Sequence, residues 1–472
     1  MRKQIVRKLT RYFNSLNAQE IRGLSEVLNH EIQRLNIRYL NDYGRPRDIR
    51  LVLRPWFIKP RELAFFHRLI YAFKAANHKL FALYLTNTKI QEIMPLRREE
   101  WKWFQLINKE RLQKHQVVFG RWDTNVSFDE RENITDIKFL ETNTVGIGGI
   151  HYIPAVSEAI KKLLKISFEK NIYPYSLKFQ ADPRHLLAEE IKLQAKRVGR
   201  KSLNVAFLEN RDYAGGTVEI PELSKYFLKL GINALAADPR QLRLKGKEIY
   251  CRDTRIDIMY RDSELQELID IEKKGHNMAV LKQAFINNQV ISSIEGELDH
   301  KSGFEIFSSP EFSRLFTAQE RALFKKYIPW TRLLKERKTT DAKSRLVDLV
   351  PYVIKHKDAL TIKPNRAYGG KGVVIGHTVS KKKWQEYIAK ALSARDEYVA
   401  QSFVPIREET FPWFTPDGRV TFDKFYSVSG FVVNHRSIAV LGRFSKEMVV
   451  NVARKGGIVP TLVLKENRVR VD

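Results

Sequence analysis

The chain has 472 residues, of which 43% are hydrophobic and 29% charged, which is enough for a large core and more than one domain. Its single cysteine, Cys251, excludes an internal disulfide, and no apolar run is long enough for a secretory signal or a membrane span, so we expect a cytoplasmic protein without a transmembrane segment. The net charge of +29 leaves nucleic acid or another anionic partner open. The basic residues are spread along the chain, however, which favours a solvated basic surface.

The first section, residues 1–116, is predicted to be mostly helical. Apolar residues recur at three- and four-residue steps over residues 18–43, an aromatic-rich helix follows over 60–84, and a third helix is expected over 97–114. A short strand is expected at 51–53. The aromatic stripe of the second helix indicates core packing, because its basic residues would occupy the other face.

An acidic hairpin is predicted over residues 117–145. Asp123 lies on its first arm, and Glu141 and Asn143, two residues apart on the second arm, emerge on one face. Oxygen ligands grouped on one face suit a hard cation such as Mg²⁺ that is shared with phosphate oxygens, so all three residues are candidate metal ligands. The alternative interpretation is a solvated strand face.

Residues 202–262 predict a βαβ unit. The continuous apolar run at 203–208 is typical of a parallel strand, a helix opening at two glycines follows, and further strands are expected at 232–236 and 256–260. Ligands bind at the carboxyl ends of such strands. The substrate-binding candidates are therefore Asn210, Arg211, Gly215, Gly216 and Arg261. The two glycines could equally form only a tight turn.

A glycine-rich loop between two short strands follows a mostly helical segment, residues 303–357. Lys363 ends the first strand, and Gly369, Gly370 and Gly372 allow a positive φ, so that backbone N–H groups can face an anion. β-Formers follow the loop, which excludes the P-loop pattern, where a helix follows. A phosphate cradle and a simple hairpin with a basic tip remain equal alternatives on spacing alone.

Taken together, these motifs resemble those of the ATP-grasp ligases. Arg121-x-Asp123, Glu141-x-Asn143-Thr144 and Gly148-Gly149 resemble the metal-binding strand pair of that fold, and Lys363-Pro364 followed by Gly369-Gly370-x-Gly372-Val373 resembles its nucleotide-binding half. The acidic strand precedes the lysine, as in the circularly permuted branch that includes eukaryotic-type glutathione synthetase and glutathionylspermidine synthase. The resemblance covers roughly residues 117–464.

The resemblance implies an α/β, circularly permuted ATP-grasp fold in four parts. These parts are a helical N-terminal section (1–116), a metal-binding half (117–200), an inserted α/β substrate-binding domain (201–300) and a nucleotide-binding half (301–472). It further implies ATP and Mg²⁺ as cofactors, and Arg443 and Arg121 as catalytic residues. The implied ATP-binding residues are Lys363, Tyr368, Gly369, Gly370, Lys371, Gly372, Gln401, Ser402, Phe403, Val404, Arg332 and Asn451.

The function that this resemblance implies is an ATP-dependent carboxylate–amine ligase that acts through an acylphosphate on small-molecule or peptide substrates. In glutathione synthetases an acidic residue of the glycine loop also binds metal, and Ala367 stands there in this chain, which argues against glutathione as the product. The alternatives are an ATP-grasp phosphoryl transferase and a catalytically inactive protein that binds nucleic acid or another anion. The sequence does not determine the acid, the amine or the oligomeric state.

Overall fold

The computed structural model describes residues 2–106, 117–129, 133–167, 175–212, 215–415, 417–450, 452 and 456–466. Within these residues the chain is a mixed α/β protein, as predicted. Among them, no helix is both long and apolar enough to cross a membrane. The described α-helices are Arg2–Ser15, Ala18–Arg34, Pro60–Tyr84, Thr88–Ile93, Arg98–Gln105, Tyr152–Ser167, Pro183–Arg197, Glu219–Lys229, Leu265–Lys273, Ala279–Ile286, Gly303–Ser308, Ala318–Tyr327, Leu349–Lys355 and Lys381–Ser393.

The largest sheet of the described residues, which we call the central sheet, is mostly antiparallel. In spatial order its strands are Arg50–Leu51, Gly456–Val459, Ile438–Ser445, Val420–Val433, Gly120–Phe128 and Ile134–Asn143, and Arg407–Phe414 also pairs with Val420–Val433. The last two strands of that order form the acidic hairpin, which is confirmed. Asp123 lies opposite Glu141, and Arg121 lies opposite Asn143, so these four side chains share one face of the sheet.

A second sheet, which we call the glycine-loop sheet, carries the predicted strand–loop–strand segment. Its strands in spatial order are Thr331–Leu333, Tyr398–Ser402, Leu360–Pro364 and Val374–Ile375. The strands on either side of the loop pair antiparallel, so this prediction is confirmed. Gln401 lies opposite Thr361, two residues before Lys363, so Gln401 and Lys363 share a face.

The predicted parallel strands form a third sheet, in the order Asn233–Ala237, Asn204–Leu208, Ile258–Arg261 and Val290–Ile291, which confirms their parallel pairing. The predicted boundaries of the four domains stay predictions. The remaining strands form four small sheets: Leu242–Lys245, Glu248–Cys251 and Thr254–Ile256; Pro46–Asp48, Arg38–Leu40 and Gly216–Thr217; Lys338–Thr340 and Leu346–Asp348; Trp56–Ile58, Thr461–Glu466 and Tyr175–Lys178.

Several predicted helices were too long or misplaced. The helix predicted over 18–43 ends at Arg34, because Asn36 takes a positive φ of 49° and the chain then enters a strand. The third predicted helix ends at Gln105, and most of its remainder lies outside the described residues.

Two further segments contain strands where helix was predicted. Gly216 belongs to a short strand that pairs with Leu40, so the following helix begins only at Glu219. The stretch 338–348, inside the segment predicted to be mostly helical, forms two short strands that pair with each other. Strand pairing outweighed local helical preference at both places, with the distant residue Leu40 at Gly216 and within one hairpin at 338–348.

The aromatic helix Pro60–Tyr84 packs into the core, as predicted. The ring of Phe66 lies 4.9 Å from that of Phe431 in the central sheet, and the ring of Phe73 lies 4.0 Å from that of Phe139 in the hairpin. Burial of such side chains contributes roughly 1.5–3 kcal/mol each. The helix therefore supports one face of the central sheet, which leaves the other face to carry the charged residues of the hairpin.

Asn365 joins the segment that begins at Lys301 to the end of the strand that carries Lys363. Its backbone carbonyl accepts a hydrogen bond from the backbone N–H of Lys301 (3.0 Å), and its side-chain oxygen accepts one from the N–H of Ser302 (2.8 Å). The side chain is fully buried. It therefore fixes the positions of two lysines relative to each other.

We expect Asn365→Ala to lower the free energy of unfolding by about 1–3 kcal/mol, because the buried N–H of Ser302 loses its acceptor. Asn233→Ala, which alters an exposed asparagine bonded to Asn204, should change it by less than about 0.5 kcal/mol. Chemical denaturation of both variants measures the difference. Equal effects would contradict the role given to Asn365.

Candidate functional site

A cavity of about 110 Å³ lies where the central sheet meets the glycine-loop sheet. Asp123, Glu141 and Arg443 from the central sheet line it, together with Lys363 and Gln401 from the glycine-loop sheet. The structure thus brings together two segments that are far apart in the sequence.

Five charged side chains line one end of this cavity: Asp123, Glu141, Lys301, Lys363 and Arg443. The Nζ atom of Lys301 lies 3.2 Å from Oε2 of Glu141, and Nη2 of Arg443 lies 2.8 Å from Oδ2 of Asp123. Lys363 donates a hydrogen bond of 2.7 Å to Oε1 of Gln401. Three cations against two carboxylates leave one positive charge in excess, which suits a ligand with several negative charges.

Asp123 is the most heavily coordinated of these groups. Arg121 donates to both of its oxygens (2.8 and 3.2 Å), and the side-chain amide of Asn143 donates to Oδ2 (3.1 Å). Burial alone would raise the pKa of Asp123, but Arg121 and Arg443 outweigh it and hold the pKa below its usual value. A Cβ atom at Gly430 would come within 2.6 Å of Oδ1, so glycine is needed there to leave room for this cluster.

The three predicted metal ligands lie close together. Asn143 contacts Asp123 directly, and Glu141 is its partner across the two strands. In the described part of the chain, no group of three or more His, Cys, Asp or Glu residues could hold a metal ion. Two carboxylates are nevertheless the usual protein contribution to a Mg²⁺ ion that is shared with phosphate oxygens. The donor types therefore suit Mg²⁺ bound together with a phosphate ligand, although Arg121, Arg443 and Asn143 engage the oxygens of Asp123 in this structure.

Lys363 has a pKa lowered to about 8, chiefly because it is buried, with Lys301 adding repulsion and Glu141 partly offsetting both. Burial destabilises the charged form of Lys363, so a bound anion would stabilise the ammonium group. An anion at this position would raise the pKa of Lys363 again.

The glycine loop follows Lys363 and closes one side of the cavity. Gly369, Gly370 and Gly372 have φ values of 65°, 70° and 73°, as their predicted role requires. A Cβ atom at Gly370 would lie 2.4 Å from Cγ1 of Val449, so the segment 448–450 rests directly on the loop. Lys371 is exposed at the tip of the loop.

Tyr368, also predicted to bind ATP, points toward Asp299. Its hydroxyl donates to both oxygens of that carboxylate (3.2 and 3.1 Å), which also accepts the backbone N–H of Thr144. This contact joins the glycine loop to the end of the acidic hairpin.

The rest of the cavity wall is largely apolar. Phe403, Val404, Ile375, Ile406 and Val428 contribute to it. Ser402, Phe403 and Val404 also line an adjoining groove of about 680 Å³. The combined space has both apolar and charged walls, which suits a ligand larger than the cavity itself.

Arg332 does not reach this site, which is a correction to its predicted phosphate contact. It is fully buried and donates hydrogen bonds to Ser308, Thr339 and Thr340. Its neighbour Thr331 bonds Gln401, and adjacent residues of a strand point to opposite faces, so Arg332 points away from Gln401.

The predicted substrate-binding residues do not line this cavity. Arg261 is buried, forms an ion pair with Glu297 and donates to the backbone carbonyls of Ser263, Ser292 and Ser293, so its guanidinium joins two loops of the parallel sheet. These contacts do not fit the predicted substrate contact.

The other substrate candidates lie in loops and in an edge strand. The backbone of Gly216 pairs with Leu40, and a Cβ atom at Gly215 would lie 3.0 Å from the carbonyl oxygen of Asn41. Asn210 accepts from the backbone of Asp212, and Arg211 is exposed. Asn451, predicted to bind ATP, lies outside the described residues.

A second group of carboxylates lies at the carboxyl ends of the parallel strands. Burial and acidic neighbours raise the pKa of Glu264 to about 9, of Glu267 to about 7 and of Asp262 to about 6. The glycine turn 146–149 joins this group to the cavity: a Cβ at Gly146 would meet the carbonyl of Asp262, and Arg121 donates to the carbonyl of Gly148. A cation would relieve the repulsion among these acids.

Lys301 is the site residue that sequence reasoning missed. It contacts Glu141 and donates to the backbone carbonyl of Ala367 in the glycine loop (2.9 Å), so it bridges the two sheets. No glycine-rich or strand pattern surrounds it in the sequence. The sequence around Lys301 therefore gave no indication that this lysine belongs to the site.

The chain is similar to the solved structure of a glutathione synthetase-like effector from Globodera pallida, in its apo form. The TM-score is 0.59 at 11% sequence identity, over 91% of this chain and 96% of that one. An ATP-grasp RimK domain protein from Sphaerobacter thermophilus also matches at 11% identity, over 53% of this chain and 91% of that one, but its TM-score of 0.26 carries no argument. No family model and no curated protein matches. At this identity the likeness shows that the chain shares its overall α/β fold with that effector, and nothing about its activity.

We expect Asp123→Asn to lower the free energy of unfolding by about 3–5 kcal/mol, because it removes the shared counter-charge of the buried Arg121 and the partly buried Arg443. Asp253→Asn, at an exposed position, should change it by less than about 0.5 kcal/mol. Denaturant unfolding measures both. A loss below about 1 kcal/mol for Asp123→Asn would mean that the arginines do not depend on this carboxylate.

Proposed function

We propose that the protein is an ATP-dependent carboxylate–amine ligase of the circularly permuted ATP-grasp type. One observation carries the proposal: the carboxylates Asp123 and Glu141 and the cations Lys363 and Arg443 line one cavity next to the glycine loop. Such a site can bind a nucleotide and stabilise charge on a transferred phosphoryl group.

In this proposal the apolar side chains of the cavity wall contact the adenine and its cationic side chains contact the phosphates. Phe403 and Val404 meet the base, with Gln401 and Ser402 beside them, and the glycine loop covers the phosphates. Lys301 and Lys363 provide the flanking cations. The cavity of about 110 Å³ is too small for a whole nucleotide, so binding must move the segment 448–450 away from Gly370.

Asp123, Glu141 and Asn143 would hold Mg²⁺ together with the phosphates. The ion would neutralise phosphate charge, which complements the three cations already at the site. Glu141 must then give up its contact with Lys301, and that change frees the lysine for a phosphate oxygen.

The proposed reaction has two steps. An oxygen of the substrate carboxylate attacks the γ-phosphorus of ATP, the bond to the β-phosphate oxygen breaks, and an acylphosphate and ADP form. The amine then attacks the acyl carbon, loses a proton and displaces inorganic phosphate, which leaves an amide. Arg443 and Lys363 stabilise charge on the transferred group, and Arg121 holds the Asp123 cluster in place. The chain needs only to position and neutralise its substrates.

The acidic group at Asp262, Glu264 and Glu267 supports a cationic amine as the second substrate. Asp262 or Glu267, whose pKa values of about 6 and 7 leave them ionised above neutral pH, would take up the proton that the amine must lose, whereas Glu264 is already protonated there. Asn210 and Arg211 border this region and stay proposed substrate contacts.

Lys363→Ala and Glu141→Ala should each reduce the release of ADP from ATP at least about a hundredfold in the presence of Mg²⁺ and mixed pools of acids and amines. Lys382→Ala, on the exposed face of the helix Lys381–Ser393, should retain wild-type turnover. Coupled detection of ADP and of inorganic phosphate measures both products. Full turnover by either site variant would overturn the proposal.

The identity of the products tests the reaction class. Stoichiometric inorganic phosphate and an amide product support the ligase. A stable phosphorylated product without free phosphate would favour a phosphoryl transferase instead. Salt-dependent binding to RNA or DNA without any ATP turnover would favour an inactive anion-binding protein.

The affinity for ATP should fall as the pH rises through about 8, because Lys363 has a lowered pKa and loses its charge there. Below this pH the ammonium is present and binding should reach a plateau. Lys363→Arg keeps its charge and should make affinity nearly independent of pH between about 7 and 9.5. Calorimetric titration across this range measures the effect, and the same pH profile in both proteins would contradict it.

A further inference from the structure

A second cavity, of about 260 Å³, lies on the opposite face of the central sheet. Within the strand Val420–Val433, Val428 lines the first cavity, whereas Ser427, Ser429 and Phe431 line the second. This alternation follows from the period of two in a β-strand. The second cavity is therefore separate from the proposed ATP site, and nothing in the proposed reaction uses it.

Three elements close this cavity against the sheet. The helix Arg2–Ser15 contributes Val6, the strand Trp56–Ile58 lies across it, and the helix Pro60–Tyr84 contributes Phe66. Val6, Val126 and Phe128 are only half-buried, so this end of the cavity is accessible to solvent. Most of the wall is hydrocarbon, which suits an apolar ligand body.

The polar part of the wall has more cations than anions. Arg54 forms an ion pair of 2.6 Å with Glu409, and Arg2 forms one with Glu62, whereas the third arginine, Arg407, lies 3.7 Å from Glu409. The described part of the wall thus carries three arginines and two glutamates, and the long contact of Arg407 leaves its guanidinium the least engaged by Glu409.

Arg407 lies at the accessible end, where its side chain is 31% exposed. The guanidinium groups of Arg2 and Arg407 lie 4.9 and 4.6 Å from the centre of the Phe128 ring, so both stand next to an aromatic wall. The hydroxyl of Ser427 also lines the cavity, is 3% exposed, and has no hydrogen-bond partner among the residues that the structure describes. A buried polar group without a partner is costly, and a ligand oxygen would satisfy it.

We propose that this cavity binds an amphipathic monoanion, a carboxylate with an aliphatic chain. An apolar cavity of about 150 Å³ holds benzene, so a volume of about 260 Å³ accommodates about ten non-hydrogen atoms. The carboxylate meets Arg407, whose side chain is 31% exposed and whose pairing with Glu409 is long. The chain extends over Phe66, Phe431 and Val440 into the interior.

Octanoate and octan-1-ol, titrated calorimetrically into the full-length protein, test the proposal, because they share a chain and differ in charge. We expect saturable, one-to-one binding of octanoate, at least about tenfold tighter than that of the alcohol, as a charge-assisted hydrogen bond provides. Octylammonium should bind more weakly than either. Tighter binding of octylammonium or of the alcohol, or no saturable binding of octanoate, would overturn the proposal.

Two variants localise the site. Val6→Phe fills the cavity and should reduce octanoate affinity at least about tenfold, whereas Val27→Phe, at another half-buried helical valine of the same hydrophobic cluster, should leave it unchanged. Arg407→Gln should weaken octanoate but not octan-1-ol. Equal affinities in the Val6→Phe and Val27→Phe proteins, or an unchanged octanoate affinity in Arg407→Gln, would refute the assignment.

All three variants should keep the thermal unfolding midpoint of the wild type within a few degrees and the same turnover of ATP, because none alters the first cavity. These two controls separate the two proposals. If the wild-type protein binds octanoate but does not turn over ATP, only the ligase proposal is refuted. If it turns over ATP but does not bind octanoate, only the proposal for the second cavity is refuted.

Discussion

The carboxylate of Asp123, shared between two arginines, is the interaction on which the rest of the site depends. Arg121 comes from the same strand and Arg443 from another strand of the central sheet, and Gly430 between them provides the space. Because the cluster is buried, neither arginine could stay there without this charge. The cluster thus holds Arg443 at the cavity while Arg121 reaches the glycine turn through Gly148.

The central sheet separates two chemically different spaces. One face carries Asp123, Glu141 and Arg443 and meets the glycine-loop sheet, and the other supports an apolar cavity bordered by Arg407. Because side chains alternate along each strand, neighbouring residues serve different cavities. A change in the register of one strand would therefore exchange polar and apolar side chains in both spaces at once.

The distribution of charge differs between the whole chain, the first cavity and the acidic group beside it. The whole chain carries a net charge of +29, which attracts anions over long distances. At the first cavity the cations exceed the carboxylates by only one, so the protein alone is nearly balanced there. Beyond the glycine turn, Asp262, Glu264 and Glu267 have raised pKa values because they are buried next to other acids, and a nearby cation would favour their ionised forms. An anionic nucleotide and a cationic amine would thus be drawn to adjacent places.

The sequence by itself determined the local features. A period of two placed Glu141 and Asn143 on one face, and the glycines after Lys363 predicted the turn between two strands, because these properties depend only on neighbours in the chain. The tertiary structure alone decided which side chains meet. It brought Lys301 to Glu141, although no local pattern marked that lysine.

Long-range packing also explains why Arg332 and Arg261 do not make the ligand contacts predicted from the sequence. Strand pairing turned Arg332 away from Gln401, and Glu297 engaged Arg261 in the interior. The direction of a strand residue relative to a cavity depends on register with distant strands, and the freedom of an arginine depends on which distant groups neutralise it. Neither property is written in the adjacent sequence. Residue type and local spacing therefore fixed the chemistry that was available, and long-range packing decided which of it lies in one site.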